Sequence, residues 1–451
     1  MKKEAKLAPW LKSPKMKLAR SPGYDGAFSA DVIVVGAGIA GASAAFEFAE
    51  AGLSVLVLER ESQEASLGSG NLQGMLYLKL SPNLTYQNDL VVLGFKKTLA
   101  ILKLLTERGL LRKGDDWDSP GLLQLQTSQK VGDNQAKLTN LYSDKLLYKV
   151  DQQTASQLAG VSLTSGGLFF PTSGWVSPPA LVKALLTHSK ITLKTDVHVI
   201  DMDKMVEGQD FDCMSYWRVK AKDEQQFFGQ IVILAMADKV TELRICEDIP
   251  FTVVRGQTTT VKAASNLSIV VSGEGYVAPS KRVDGQMVTT FGATFHRDQS
   301  GGNPTISEHL ENIAMLKQNS PELVEQLGIG DLEDGRDVQI LASLEGRAAT
   351  RASAMGSLPI VGPIANRSLF LERFSAIRLD SKAIPDMPVP WELGVYLTTA
   401  HGSRGMITAP VAAEILRRYV LEDIDEAYFS SELLGAIHPN RFFYRELRFD
   451  H

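Results

Sequence analysis

The feature that most constrains this chain is a strand, a glycine turn and a helix that follow one another without a gap. Residues 31–35, Asp-Val-Ile-Val-Val, form a β-branched run of the kind buried on both faces of a parallel sheet. Gly36, Ala37, Gly38, Ile39, Ala40 and Gly41 follow at once, and residues 42–51, rich in alanine and glutamate, read as a helix. Gly52 and Leu53 turn the chain into a second apolar run at 54–58, which ends at Glu59 and Arg60. This is a βαβ unit with GxGxxG at its first strand-to-helix turn, and each glycine has its own task. Gly36 permits the tight turn, Gly38 lets backbone approach a pyrophosphate, and Gly41 lets helix and strand pack closely. The helix N-terminus offers N–H groups and a positive dipole end to the phosphates, an interaction of up to about 2 kcal/mol in partly buried sites. Glu59, at the tip of the second strand, is placed to accept hydrogen bonds from an adenosine ribose. An acid there repels the extra phosphate of NADP, so the unit predicts an FAD or NAD site.

Composition limits what surrounds that unit. The 451 residues, 44% hydrophobic and 22% charged, suffice for two or three lobes with sizeable cores. No apolar run approaches the roughly 20 residues of a membrane-spanning helix. Residues 2–29 hold no continuous apolar stretch of the secretory kind, so the expectation is a cytoplasmic protein without membrane contact. Cys213 and Cys246 stand in no CxxC or Cys/His cluster, which predicts neither a disulfide framework nor a metal site. A net charge of −5 excludes a uniformly basic coat for nucleic acid. Local basic groups exist all the same. The N-terminal arm sets Lys2, Lys3, Lys6, Lys12, Lys15, Lys17 and Arg20 against Glu4 alone. Lys96, Lys97, Lys103, Arg108, Arg112 and Lys113 form a second group, and Arg441, Arg445 and Arg448 a third. Each reads either as a solvated face or as a docking point for a polyanion.

Further motifs lie downstream in a fixed order. They are residues 68–77 (GSGNLQGMLY), 170–178 (FPTSGWVSP), 292–297 (GATFHR), 346–351 (GRAATR) with 358–362 (LPIVG), 401–410 (HGSRGMITAP) and 438–441 (HPNR). Over roughly residues 31–421 the chain with these segments resembles the D-amino-acid-oxidase superfamily of flavoproteins, which includes glycine and sarcosine oxidases. Within it, the motifs are similar to those of the FAD-dependent tRNA-modifying oxidoreductases that act on 5-carboxymethylaminomethyl-uridine at the wobble position. The resemblance implies FAD as cofactor. It implies an α/β fold in which a Rossmann-like FAD-binding domain carries a discontinuous α+β substrate domain of the D-amino-acid-oxidase/glycine-oxidase type. The expected divisions are a basic arm at 1–29 and FAD-binding segments at 30–110, 166–248 and 339–435. A cap segment at 111–165, a substrate domain at 249–338 and a tail at 436–451 complete the plan. In known members the flavin module is fused behind a methyltransferase domain. Here thirty residues precede the first strand, with Ala8-Pro-Trp10 resembling the end of an interdomain linker, so a separate methyltransferase is expected for any methylated product. One departure stands out: Ala235-Met-Ala237 replaces the Ala-x-Gly of many superfamily members.

Coarse patterning adds helices at 89–108, 180–189, 308–317 and 410–421. Strands are predicted at 122–126 with one exposed face, and at 191–200, 229–235, 258–261, 268–271, 287–291 and 396–399. By resemblance, the cofactor contacts are Gly36 to Gly41, Glu59, Arg60, Gly70, Asn71, Gln73, Gly74, Val197, Ala235, Gly402, Ser403, Arg404, Gly405 and Met406. The turn at 402–406 is a second glycine-rich helix entry, where N–H groups can meet an anionic flavin edge.

The implied substrate is a secondary amine, R–NH–CH2–COO⁻, with R the methylene of the wobble uridine. Its carboxylate calls for a planar bidentate cation. Arg347 occupies the place of the carboxylate-binding arginine of glycine-oxidase-like members, with Arg351 and Arg404 as further candidates. Tyr276 either donates to the same carboxylate or is a core tyrosine. His296 and His401 receive no general-base role, because flavin amine oxidation can proceed from the neutral amine. For tRNA, the Lys96 to Lys113 group and the C-terminal arginines form the expected surface. Two other readings remain open at this level: an oxidase of a small amine such as glycine or sarcosine, and a non-catalytic FAD-stabilised tRNA-binding protein.

Overall fold

The computed structural model describes residues 9–11, 14, 28–83, 85–207, 214–297, 299, 301–330, 332, 338–381, 384–421 and 428–449. The chain divides into two compact units, each assembled from separated stretches. The first takes Met1–Ser66, Val182–Thr252 and Ala352–His451; the second takes Leu67–Leu181 and Val253–Arg351.

A six-stranded sheet organises the first unit. In spatial order its strands are Ile360–Ala365, Trp391–Thr399, Ile231–Leu234, Val32–Val35, Val55–Leu58 and Ile191–Lys194. All neighbours are parallel except the Ile360–Ala365 edge strand, which is antiparallel. Val32–Val35, Val55–Leu58 and Ile231–Leu234 are buried at every position, as their unbroken apolar runs predict. From Val32–Val35 the chain goes first to one side, to Val55–Leu58, and later returns to the other, at Ile231–Leu234. Between those strands the order reverses, and open α/β sheets bind ligands beyond the carboxyl ends of strands at such a point.

The run expected as one strand over 191–200 is two. Ile191–Lys194 stays in the parallel sheet, Asp196 turns at φ 58°, and Val199–Glu207 opens an antiparallel meander with Met214–Ala221 and Gln226–Gly229. The helix expected at 410–421 spans Gly405–Leu421 and contains Pro410, instead of starting there.

The second unit is built on a ten-stranded mixed sheet and a three-stranded antiparallel sheet. Leu122–Leu125 lies between Val270–Ser272 and Gly167–Phe170, with Leu122, Leu123 and Leu125 all buried and only Gln124 partly exposed, so it lacks the full solvent face its alternation suggested. Helix Ile306–Asn319 is started by the Thr305 hydroxyl, which accepts the Glu308 N–H, and buries Ile313 and Leu316 in this unit's core. The boundaries differ from those read off the sequence, and strand pairing explains why. Gly74–Leu76 and Trp117–Asp118 flank Gly174–Val176, and Glu345–Ser353 pairs with Thr252–Val261. The segments around residues 67–110, 166–181 and 339–351 are thereby drawn into the second unit by partners a local pattern does not display. Among the described residues no helix is long and apolar enough to cross a membrane, and no acidic, His or Cys group could hold a metal.

Candidate functional site

In the first unit the fingerprint glycines sit where a side chain cannot. Gly36 has φ 105°, and a Cβ there would lie 2.7 Å from the Ala235 carbonyl oxygen. A Cβ on Gly41 would collide with the Gly36 carbonyl, which is how closely helix Ile39–Glu50 crosses its strand. Gly38 is different: φ −79° and ψ −176° are open to any residue, so backbone freedom does not demand glycine there. It is the N-cap of the helix, and no side chain caps that end. Around it, Glu59 ties the turn together. One carboxylate oxygen accepts the Ala37 N–H at 2.6 Å and the other accepts the Glu61 N–H at 2.9 Å. The Val197 N–H donates to the Glu59 carbonyl, and the Ala235 N–H to that of Val35. Arg60 pairs with Glu61 at 3.0 Å. Ala237, at the departure from Ala-x-Gly, adopts φ 52°, a left-handed conformation that glycine takes without strain.

The second glycine turn arrives at the same place. Ala400 and Gly402 take φ 59° and 57°, and a Cβ on Gly402 would stand 2.8 Å from the Ser353 hydroxyl oxygen. A Cβ on Gly405 would come within 3.0 Å of Ile39 Cγ2. Helices Gly405–Leu421 and Ile39–Glu50 thus bring their N-termini side by side, and neither has an acidic residue in its first turn. Two positive helix ends, lined by glycine and without an acid in their first turns, fit a pyrophosphate-bearing dinucleotide. His401 braces this turn: Nε2 meets the Thr398 hydroxyl at 3.0 Å and Nδ1 the Thr408 hydroxyl at 2.9 Å. Burial pushes its pKa down to about 4, so it is a neutral brace at physiological pH. Arg404 donates to the Ser357 carbonyl, Ser403 is exposed, and Met406 is half-buried.

The second unit gathers the remaining candidates. Arg347 and Arg351 stand four residues apart on Glu345–Ser353 and therefore share one face of that strand. Their surroundings differ. The Arg347 guanidinium lies on Gly70, where any side chain would displace it, and donates to the Leu67 carbonyl and, at 3.4 Å, to Asn71 Oδ1. Arg351 lies on the bare backbone of Gly256, and burial draws its pKa below the usual arginine value. Among the described residues it has neither a carboxylate nor a carbonyl partner. A mostly buried guanidinium with unused donors is costly unless an anion meets it.

Burial pushes the Tyr276 phenol up to about 12, with the positive charge of Arg351 pulling the other way. The phenol's single proton goes to the Gln73 carbonyl at 2.8 Å and the side chain is buried, an arrangement that matches the core-tyrosine alternative. Gln73 is fully buried; its Nε2 donates to the Pro279 carbonyl at 3.0 Å while its Oε1 has no partner among the described residues. Such an orphaned acceptor fits an N–H of a bound group. Gly74 begins the strand that pairs with Gly174–Val176. His296 faces Glu311 at 3.2 Å and Glu308 at 3.8 Å, an ion-pair setting.

A model of the family described as DAO, FAD dependent oxidoreductase, matches residues 31–419. The chain belongs to this family. It is an FAD-dependent oxidoreductase. The oxidoreductase is 36% identical over 443 residues to the tRNA 5-methylaminomethyl-2-thiouridine biosynthesis bifunctional protein MnmC of Pseudomonas putida, covering 98% of this chain and 62% of that protein. The protein of the same name from Pseudomonas paraeruginosa is 38% identical over 419 residues, covering 92% and 60%. The chain therefore spans about three fifths of the length of these curated relatives. Among solved structures, glycine oxidase from Geobacillus kaustophilus matches with a TM-score of 0.66 at 17% identity, covering 90% of this chain and 98% of that one. L-proline dehydrogenase from P. horikoshii matches with a TM-score of 0.64 at 15% identity, covering 93% and 99%. These likenesses establish the α/β glycine-oxidase type of fold.

Proposed function

We propose that this oxidoreductase oxidises the glycyl C–N unit of 5-carboxymethylaminomethyl(-2-thio)uridine at the tRNA wobble position, releasing glyoxylate and leaving 5-aminomethyl(-2-thio)uridine. The observation that carries the reading is identity of 36% sustained over 98% of the chain with a bifunctional protein of 5-methylaminomethyl-2-thiouridine biosynthesis. The residue chemistry supports it, since the mostly buried Arg351 without an anion suits a substrate that brings a carboxylate.

FAD, when bound, supplies the acceptor for the two electrons and hydrogen removed from the substrate C–H. In balance, R–NH–CH2–COO⁻ loses two electrons and two protons to become R–N=CH–COO⁻. Water adds to the new C=N bond, the C–N bond breaks, and R–NH2 and OHC–COO⁻ leave. Arg351 holds the carboxylate in its fork of N–H donors and orients the methylene. Arg347 braces the turn at residues 67–71, and the Tyr276 phenol fixes the Gln73 backbone. Gln73 Oε1, without a partner among the described residues, would accept an N–H of a bound group. Gly36, Gly38 and Gly41 would leave room for the pyrophosphate, Glu59 would accept the ribose hydroxyls, and the turn at residues 402–406 would present its N–H groups to negative charge. The neutral amine reacts without a dedicated base. The reaction belongs in the cytoplasm, where tRNA is modified, and a methyltransferase completes the product.

Nucleoside analysis of total tRNA from a strain lacking the gene tests this. The carboxymethylaminomethyl form should accumulate and be cleared by the wild-type gene but not by Arg351→Gln. Unchanged nucleosides, with glycine or sarcosine reducing the flavin far faster than hypomodified tRNA, would replace the reading with a small-amine oxidase. Bound FAD that neither tRNA nor amines bleach anaerobically would indicate a non-catalytic tRNA binder.

A further inference from the structure

Residues 292–297 (GATFHR) belong to the second unit, and they put one large aromatic ring into solvent. Phe295 is 55% exposed, whereas Phe291, four residues earlier, is buried in that unit's core. Arg297 stands over the Phe295 ring, 5.9 Å from its centre. It is itself exposed, and its guanidinium has no carboxylate or carbonyl partner among the described residues. A single exposed ring would need no explanation on its own; its place in the sheet supplies one.

That place follows from strand register. Val254 pairs with Arg297 and Arg255 with His296, and in the same register the Thr294 N–H donates to the Gln257 carbonyl at 3.1 Å. Phe295 therefore sits directly opposite Gly256. Side chains alternate across a strand, so the two faces can be told apart. Arg255 pairs with Glu308 at 2.7 Å, the Gln257 amide donates to the Thr305 carbonyl at 2.9 Å, and His296 meets Glu311 at 3.2 Å. These three point toward helix Ile306–Asn319 and its N-cap, Thr305. Gly256 and Phe295 point to the other face. That is the face on which the Arg351 guanidinium covers the bare backbone of Gly256.

Directly opposed residues on one face of an antiparallel pair hold their Cβ atoms about 4.5–5.5 Å apart. Phe295 is thus the cross-strand neighbour of the space that Arg351 fills. In R–NH–CH2–COO⁻, with R the methylene of a uridine, four bonds of about 1.5 Å separate the carboxylate carbon from the uracil ring, about 5 Å when extended. The substrate's span is of the same size as the step from the Gly256 position to Phe295.

We propose that Phe295 is a specificity-determining residue whose ring stacks on the uracil base of the substrate while Arg351 holds the carboxylate. Arg297, lying over one side of the ring, keeps it in place and adds positive charge that suits RNA. Unpaired RNA bases stack on aromatic rings and on arginine planes, and the stack tolerates any base because every base has a π face. The proposal rests on the tRNA reading above. It extends that reading from the carboxylate, which any glycine-like amine carries, to the base, which only a nucleoside carries.

Two substrates separate the base from the carboxylate. One is an anticodon stem-loop RNA carrying 5-carboxymethylaminomethyl-uridine; the other is N-ethylglycine, with the same amine and carboxylate but no ring. Anaerobic flavin reduction gives kcat/KM for each, and the flavin spectrum gives the bound FAD. Phe295→Ala should lower the ratio of stem-loop to N-ethylglycine about tenfold, mainly through KM. Phe295→Trp should restore the ratio, whereas Phe295→Leu, which keeps apolar bulk without a π face, should not. If wild type oxidises both and Phe295→Ala leaves the ratio unchanged, by lowering both rates equally or neither, the stacking role is wrong and the tRNA reading stands. If the stem-loop alone is oxidised, a raised KM that Trp reverses and Leu does not supports the role, and an equal KM in every variant overturns it. If wild type oxidises N-ethylglycine but not the stem-loop, or neither, the tRNA reading and this role fall together.

Discussion

Acidification from about pH 7 to about 4.5 should loosen the first unit through two imidazoles that the fold keeps neutral. His401 braces the turn before helix Gly405–Leu421, and burial lowers its pKa from 6.5 to about 4. His438, in the HPNR motif, is lowered to about 3 by burial and by the neighbouring Arg441 charge. Its Nδ1 accepts the Asn440 N–H at 3.1 Å, a bond that protonation at that nitrogen would break. The sign follows from proton binding: below 6.5 the unfolded chain takes up protons that the native state refuses, so stability is full above 6.5 and falls as pH drops toward the folded values. Over that interval each histidine removes about 2.5 kcal/mol, about 5 together, against a typical total of 5–15. Carboxylates held low by partners, such as Asp203 between Lys220 and Arg218, contribute in a lower window, below about pH 4. Urea midpoints at about pH 7, 5.5 and 4.5, with flavin release followed in parallel, read the effect. H401Q and H438Q should each be less stable at neutral pH yet flatten the decline by about half. Variant midpoints that fall in parallel with wild type would refute the assignment, as would a flat wild-type profile.

Other outcomes follow from the site. Arg351→Gln should lower kcat/KM for carboxylated amines by about 100-fold, from loss of charge-assisted hydrogen bonds of about 1.5–3 kcal/mol each, with FAD content intact. An equal loss on an amine lacking the carboxylate would contradict that role. Gly41→Ala should destabilise by about 1–3 kcal/mol and release FAD, because the new Cβ meets the Gly36 carbonyl; retained flavin and an unchanged Tm would contradict the packing. Ala237→Gly should raise the unfolding free energy, read from urea titration, by up to about 1 kcal/mol, the left-handed strain relieved less the added freedom of the unfolded chain. A lower midpoint would show that Ala237 bears no strain.

How much of this was legible depended on how far apart the partners lie in sequence. Gly36, Gly41 and Glu59 act within one βαβ unit, and the Ala37 N–H to Glu59 bond spans only 22 residues, so a local pattern encodes the whole arrangement. The family and its cofactor followed from the same kind of ordered, local motifs. Arg347 and Arg351 were a different matter. The resemblance put Arg347 first and Arg351 behind it, but both alternate onto one face of one strand and no local pattern separates their surroundings. Their difference lies in Leu67 and Asn71, which engage Arg347 across 280 and 276 residues, and in Gly256, against which Arg351 is left without an anion. The two-unit boundaries and the meeting of Trp10 with Tyr444 have the same character. The sequence by itself determined the dinucleotide-binding unit, because helix, turn and strand signals are short-range and each residue's task is set by its neighbours. Only the tertiary structure decided that Arg351, and not Arg347, lacks a carbonyl or carboxylate partner among the described residues, because pairing and burial there are set by residues far away in sequence.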